Sequence, residues 1–237
     1  DDIASTSGAI TITADRLTLA TGTIASTGAL TLQPTTVAES IGLGGGSGDL
    51  NLVDAEILLL TNGFSSITIG RTNGSGAIDI GSTTFTDPVT IQSGGGGAIT
   101  VTGALTAGSG NAITIDAGSS SFTQNDFDIA TGGAGDITIT ADTIAIADNT
   151  GNNALSSTGA LILQPDTTGQ TIGIATGSGT FSLSADEISD IANGFSSITI
   201  GRSDSTGAID IDAITFTDPV TIRGGAITVT ALQAGNN

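Results

Sequence analysis

Short bursts of apolar/polar alternation follow one another every 8 to 12 residues along the chain: AITIT from Ala9, RLTL from Arg16, ALTL from Ala29, SIGL from Ser40, DLNL from Asp49, SITI from Ser66, AIDI from Ala77, VTI from Val89, AITV from Ala98 and AITI from Ala112. A period of two is that of a strand with one dry face and one wet face. Within each burst Ile, Leu or Val faces one side and Thr, Ser, Asp or Asn the other, so Ile10 and Ile12 are expected inward and Thr11 and Thr13 outward. The pattern predicts an all-β protein.

The bursts belong to a long repeat. Ser26–Ile91 returns without a gap as Ser157–Ile222, an offset of 131 residues, and inside it NGFSSITIGR stands whole at Asn62–Arg71 and Asn193–Arg202. GAIDI and FTDPVTI recur with it, at Gly76–Ile80 and Phe85–Ile91, then at Gly207–Ile211 and Phe216–Ile222. Upstream, Ile10–Ala20 matches Ile137–Ala147 at an offset of 127, the later copy having four more residues before its STGAL. Downstream, QSGGGGAITV after Ile91 shortens to RGGAITV after Ile222. Length changes confined to Gly, Ser and Asn segments mark surface corners between held strands. The chain divides into a first large repeat, 1–126, and a second, 127–237, incomplete at its end, in one continuous solenoid. Asp2-Ile3-Ala4 matches Asp128-Ile129-Ala130, so the chain reads as a window cut from a longer protein.

A sandwich of hairpins and a parallel β-helix both fit the alternation, and the repeat favours the second. Hairpins use two-residue Asn-Gly or Asp-Gly turns, yet Asn62-Gly63 and Asn193-Gly194 follow segments that do not read as strands. The expected fold is a right-handed parallel β-helix, the hand being that of parallel crossovers generally. Coils of roughly 20 residues, about 4.8 Å apart, predict a rod on the order of 50 to 60 Å long.

One segment departs from alternation. SADEISDIANGF at Ser184–Phe195 offers Ser184 as an N-cap, Glu187 as its capping-box partner, Ile188 and Ile191 at helical spacing and Gly194 as a stop. Its counterpart Val53–Phe64 keeps Glu56, Ile57, Leu60 and Asn62-Gly63, which predicts one short helix per large repeat, anchored by Phe64 and Phe195.

Composition narrows the function. The chain has no Cys, His, Met, Trp, Tyr or Lys, so acid–base, nucleophilic and metal chemistry would rest on carboxylates and hydroxyls alone. It is expected not to be an enzyme, and no catalytic, cofactor-binding or metal-binding residue and no cofactor is assigned. Apolar residues at 38% with seven Phe give a narrow core of β-branched side chains, suiting a thin solenoid. Four Arg against 23 acids leave a net charge of −19, which argues against nucleic acid and anionic membrane surfaces as partners. No apolar run reaches the roughly 18 residues of a membrane span.

Several motifs invite chemistry. GGGSGD at Gly44–Asp49 and GGAGD at Gly132–Asp136 approach the calcium-binding nonapeptide, but the Asp comes one residue early and no nine-residue period follows, so both read as corners. Outward Asp79 and Asp210 could attract cations loosely. Thr-x-Thr pairs at Thr11/Thr13, Thr84/Thr86, Thr100/Thr102, Thr138/Thr140, Thr215/Thr217 and Thr228/Thr230 suggest ice binding, but read as wet strand faces interrupted by other residues. Arg71 and Arg202, at equivalent positions, are expected to pair with nearby Asp side chains.

ITITADRLTLATGTIASTGALTLQP, followed by NGFSSITIGR, GAIDI and FTDPVTI, resembles the repeats of very large filamentous-haemagglutinin-like adhesins of bacteria, and the resemblance covers essentially the whole chain. It implies a right-handed parallel β-helix serving as stalk or fibre, secreted to the extracellular space or bacterial cell surface. The expected function is thus a non-catalytic structural segment giving length and stiffness for adhesion or matrix formation. Its expected partners are itself or further repeats, through end-to-end strand stacking, and cell-surface or matrix glycans. The alternatives are a carbohydrate-binding or polysaccharide-degrading β-helix and, behind it, ice binding.

Overall fold

The computed structural model of the chain describes residues 2–108, 110–147 and 154–230. Within them the protein is an all-β parallel β-solenoid of about 10 turns carrying two short helices. The four-residue insertion of the second copy, at 148–153, and the ends at Asp1 and Asn237 lie outside the described residues.

The first sheet carries nine strands stacked in chain order, all parallel: Ile10–Thr13, Ala29–Gln33, Ser66–Arg71, Val89–Ser93, Ile113–Asp116, Ile137–Thr140, Ala160–Gln164, Ser197–Gly201 and Val220–Arg223. Its register aligns two inward columns of aliphatic residues without a break. One begins Ile10, Leu30, Ile67, Val89 and the other Ile12, Leu32, Ile69, Ile91. From the second layer through Ile200 these side chains are essentially inaccessible to water. Each contributes about 1.5–3 kcal/mol of burial.

Two further sheets complete each turn. One runs Leu50–Leu52, Ile41–Leu43, Ile78–Ile80, Ile99–Val101, Ser121–Asn125, Thr143–Ala147, and beside its last strand packs a second block, Phe181–Leu183, Ile172–Ile174, Ile209–Ile211, Ile227–Val229. The third holds Ile3–Ala4 with Ile24–Ala25, then, beyond helix α1 (Asp54–Ile57), Thr83–Phe85, Leu105–Ala107, Ile129–Thr131 and Leu155–Ser156.

The coils are uneven, which corrects the expected length. Ile67 pairs with Val89 after 22 residues and Ile113 with Ile137 after 24, but Leu30 pairs with Ile67, and Leu161 with Ile198, only after 37. Nine layers therefore span about 40 Å. The long coils make two passes in the second sheet. Ile41–Leu43 and Leu50–Leu52 are parallel neighbours joined by residues 44–49 alone, and Ile172–Ile174 and Phe181–Leu183 repeat the device. The loop lies flat against its own strand. A Cβ at Gly42 would overlap the Gly46 carbonyl, and one at Gly48 would overlap the Gly42 nitrogen.

The helix follows the second pass. In α2 (Ala185–Ser189) the Ser184 hydroxyl accepts from Glu187 N at 3.2 Å while Glu187 Oε2 accepts from Ser184 N at 2.8 Å, the capping box read from sequence. In α1 the cap position is Val53, which has no side-chain acceptor, and only the Glu56 half survives. Gly194 is not the stop: α2 ends at Ser189, and Gly194, at φ 131°, forms the next corner. Phe64 and Phe195, just after the helices in sequence, are buried.

RLTL is not a strand. Its counterpart Thr143–Ala147 pairs with Ser121–Asn125, whereas Arg16–Leu19 has no such neighbour among the described residues. In both copies the helix glutamate supplies the missing acceptor: Glu56 Oε1 takes Leu19 N at 2.7 Å and Glu187 Oε1 takes Ile146 N at 2.9 Å.

Candidate functional site

The acids are mostly spent on the fold. Asp15 accepts from Thr36 N at 2.7 Å and its hydroxyl at 2.9 Å, and Asp142 repeats this with Thr167 in the layer above. Asp87 of FTDP reaches back to Gly63 N of NGF at 2.9 Å, and Asp218 takes Gly194 N and Phe195 N at 3.0 and 3.1 Å, so the two repeated motifs clamp one another. Gly63 and Gly194 have positive φ, and their N–H groups face a carboxylate instead of a ladder partner.

Asp79 and Asp210, expected to be open to cations, are taken up in the same way. Asp79 accepts from Ser47 N at 2.8 Å and Thr102 Oγ1 at 2.6 Å; Asp210 accepts from Ser178 N and Thr230 Oγ1, both at 2.9 Å. They pin the flat glycine loop, and these bonds, the Ser178 amide first, hold the Asp210 carboxyl below the usual carboxylate range. GGAGD is a corner in which Thr131 Oγ1 donates to the carbonyls of Gly133 and Gly135, and Asp136 accepts Ala160 N of the next layer at 2.7 Å. No group of acids with metal-binding geometry occurs among the described residues.

The outer face of the first sheet is where unspent polar groups gather. Its central column reads Thr11, Thr31, Thr68, Thr90, Thr114, Thr138, Ile162, Thr199, Thr221. The second sheet shows the expected interruption, its outward column running Asn51, Gly42, Asp79, Thr100, Thr123; on the first sheet threonine instead fills every layer but one, because strands such as SITIG supply it outside any Thr-x-Thr pair. The contrasting pair on the third sheet, Thr84 and Thr106, bond each other at 2.6 Å.

Around the one exception lies a groove of about 800 Å³, floored by Ile162 and Ala160 and edged by Asp116, Thr140, Gln164, Asp166, Thr199, Arg202, Asp204 and Arg223. At its edge Gly201, at positive φ, lets the next strand approach, since a Cβ there would overlap the Arg223 carbonyl. Arg202 forms the wall: Nε and Nη2 donate to the two Asp204 carboxylate oxygens at 2.9 and 3.0 Å and Nη1 to the Asp166 carbonyl. That fork raises the Arg202 pKa and lowers that of Asp204. Asp166 moves the other way. Burial first, then the charges of Asp116 and Asp142, push its carboxyl above the ordinary value despite Arg202 at 4.0 Å.

The sequence reading of Arg202 as paired with a local Asp agrees with this geometry; Arg71 instead binds Asn73 Oδ1 at 2.9 Å and the Pro34 and Thr35 carbonyls. The groove itself was missed. Its residues come from five layers whose spacing in sequence is irregular, and the signal available was the cluster of differences between copies: Thr31 becomes Ile162, Thr35 becomes Asp166 and Asn73 becomes Asp204. Compared with known protein families, with characterised proteins and with solved structures, the chain finds no match.

Proposed function

We propose that the chain is a non-catalytic structural segment of a secreted bacterial surface fibre or adhesin of the filamentous-haemagglutinin-like kind, giving length and stiffness for adhesion or matrix formation. The observation that carries this reading is the unbroken register of nine parallel strands over two continuous aliphatic columns. Such a stack gains stability with every layer added, each layer contributing through its contacts with its neighbours. Spending the acids on interlayer clamps serves the same end. The partners that follow are further repeats or further copies stacked strand on strand at the ends, and surface glycans; the setting is extracellular, where a fold without cysteine is indifferent to redox state.

Chains with one, two and three additional copies of the 131-residue unit test this by small-angle scattering. A stalk lengthens by about 24 Å per unit, five layers of about 4.8 Å, at constant cross-section. A cross-section that grows with each unit overturns the reading. Negative-stain images across a concentration series then separate end-stacked filaments from single rods.

A further inference from the structure

The groove around Ile162 runs along the rod. Beside the threonine column, register sets Asp116, Thr140, Gln164, Gly201 and Arg223 in one outward column, about 19 Å from first to last at about 4.8 Å per layer. Gly201 leaves the fourth layer of that column without a side chain, which opens a gap between Gln164 and Arg223 next to the apolar floor of Ile162 and Ala160. We propose that the groove binds a short stretch of neutral polysaccharide laid along the rod, an inference that rests on the adhesin reading and gives its glycan partner a contact site.

The polar groups around the floor hold unused hydrogen-bonding capacity of both kinds. Gln164 donates Nε2 to Thr140 Oγ1 at 3.1 Å and keeps Oε1 free; Asp116 gives one oxygen to Gly118 N at 2.9 Å and keeps the other. The hydroxyls of Ser197 and Thr199 and the guanidinium of Arg223 have no partner among the described residues. Asp166, 4.0 Å from Arg202, adds a carboxylate at the wall. Free acceptors and free donors thus surround a surface of C–H groups. A sugar ring is the complement of that arrangement, with hydroxyls that both donate and accept at its rim and C–H groups on its face. Charge disfavours other ligands of this length. Asp116, Asp166 and Asp204 face Arg202 and Arg223, so a polyanion meets three carboxylates and a polycation two guanidiniums, and the net charge of −19 repels anions further.

The first repeat keeps the scaffold and lacks the site. Thr31, Thr35, Asn73 and Gln92 stand where the second has Ile162, Asp166, Asp204 and Arg223, and Gln92 Nε2 reaches across the gap to the Gly70 carbonyl at 3.5 Å. Ile162→Thr, Asp166→Thr and Arg223→Gln therefore each install a residue with which the same corner already folds. The test is a titration of the full, isotopically labelled chain with cellotetraose, chitotetraose and maltotetraose, read by amide NMR, with a heparin tetrasaccharide alongside. At least one neutral tetrasaccharide binds saturably at high micromolar to millimolar concentration and shifts the amides of Ile162, Thr199 and Gly201, and each variant weakens it about fivefold or more. No saturable shift from any of the three sugars overturns the proposal. So do shifts that map elsewhere, an affinity unchanged in all three variants, or tighter binding of the heparin fragment at these amides. The stalk is judged separately: chains that lengthen unit by unit and bind no sugar keep the fibre and lose the groove, and chains that bind sugar here but thicken do the reverse.

Discussion

Arg71 and Arg202 leave identical NGFSSITIGR strands and brace the same corner, yet they keep different company. Arg71 holds a neutral amide and two carbonyls; Arg202 holds a carbonyl, a bidentate carboxylate at Asp204 and, at 4.0 Å, the Asp166 carboxylate. The shared part is the bond from Nη1 to the carbonyl that follows the Gln-Pro pair one layer below, at Thr35 or Asp166. What duplication preserved is therefore the arginine's structural work, and what diverged is the charge around it. A residue repeated in both copies reports on the scaffold, and one that differs marks surface released from that duty.

The largest expected effect should strike both corners alike. Gly70→Ala and Gly201→Ala each force a Cβ onto the carbonyl of the layer above at positive φ and should cost about 2 kcal/mol or more, read as a fall in the denaturant midpoint of single variants. A large difference between the two would mean that the corners are not equivalent scaffolds. Next, Arg202→Ala should cost more than Arg71→Ala, by a margin that shrinks at high salt, because only the former removes the partner of two solvent-screened carboxylates. Equal losses would assign all the stabilisation to the carbonyl bond.

Asn73→Asp converts the first corner toward the second. It should stabilise by at most about 0.5–1 kcal/mol at low salt and by less at high salt, measured by thermal melts across ionic strength. The smallest effect is in pH. Asp204, held low by Arg202, stabilises the fold above the ordinary carboxylate value, and that contribution is lost as the pH falls through its lowered one. Asp166 has the opposite sign: its ionised form is disfavoured in the fold, so its cost is absent below the ordinary carboxylate value, grows as the pH rises from there and is full above its raised value. Asp166→Asn should raise the melting temperature at pH 7 and leave it unchanged near pH 3. A gain of equal size at both would refute the assignment.

The stack was legible in the sequence because a solenoid writes its core locally: Ile-x-Ile marks a strand, and the repeated offset marks the array. The two-pass coil was not, since parallel neighbours normally require a crossover of a dozen or more residues, and residues 44–49 manage it only by lying flat on Gly42. The same holds for the groove. Layer partners stand 20, 22, 24 or 37 residues apart, so a column such as Asp116, Thr140, Gln164 has no fixed period to find. The acids were legible as surface residues but not as clamps, because each bonds a backbone amide in another layer and backbone amides leave no trace in composition.

The five layers between Leu30 and Leu161 make the 131-residue unit a ruler. Whatever one unit displays on its flank, the next displays again about 24 Å further on. The helices α1 and α2 are such teeth on a rack, alike in backbone and already different in side chain, with Leu58 capping the end of one where Ser189 closes the other. A weak contact at one tooth becomes a strong one when a regularly spaced partner engages many, and fails altogether when the spacing is wrong. The shorter RGG corner of the second copy leaves that spacing intact, because it trims a turn between two strands that both remain.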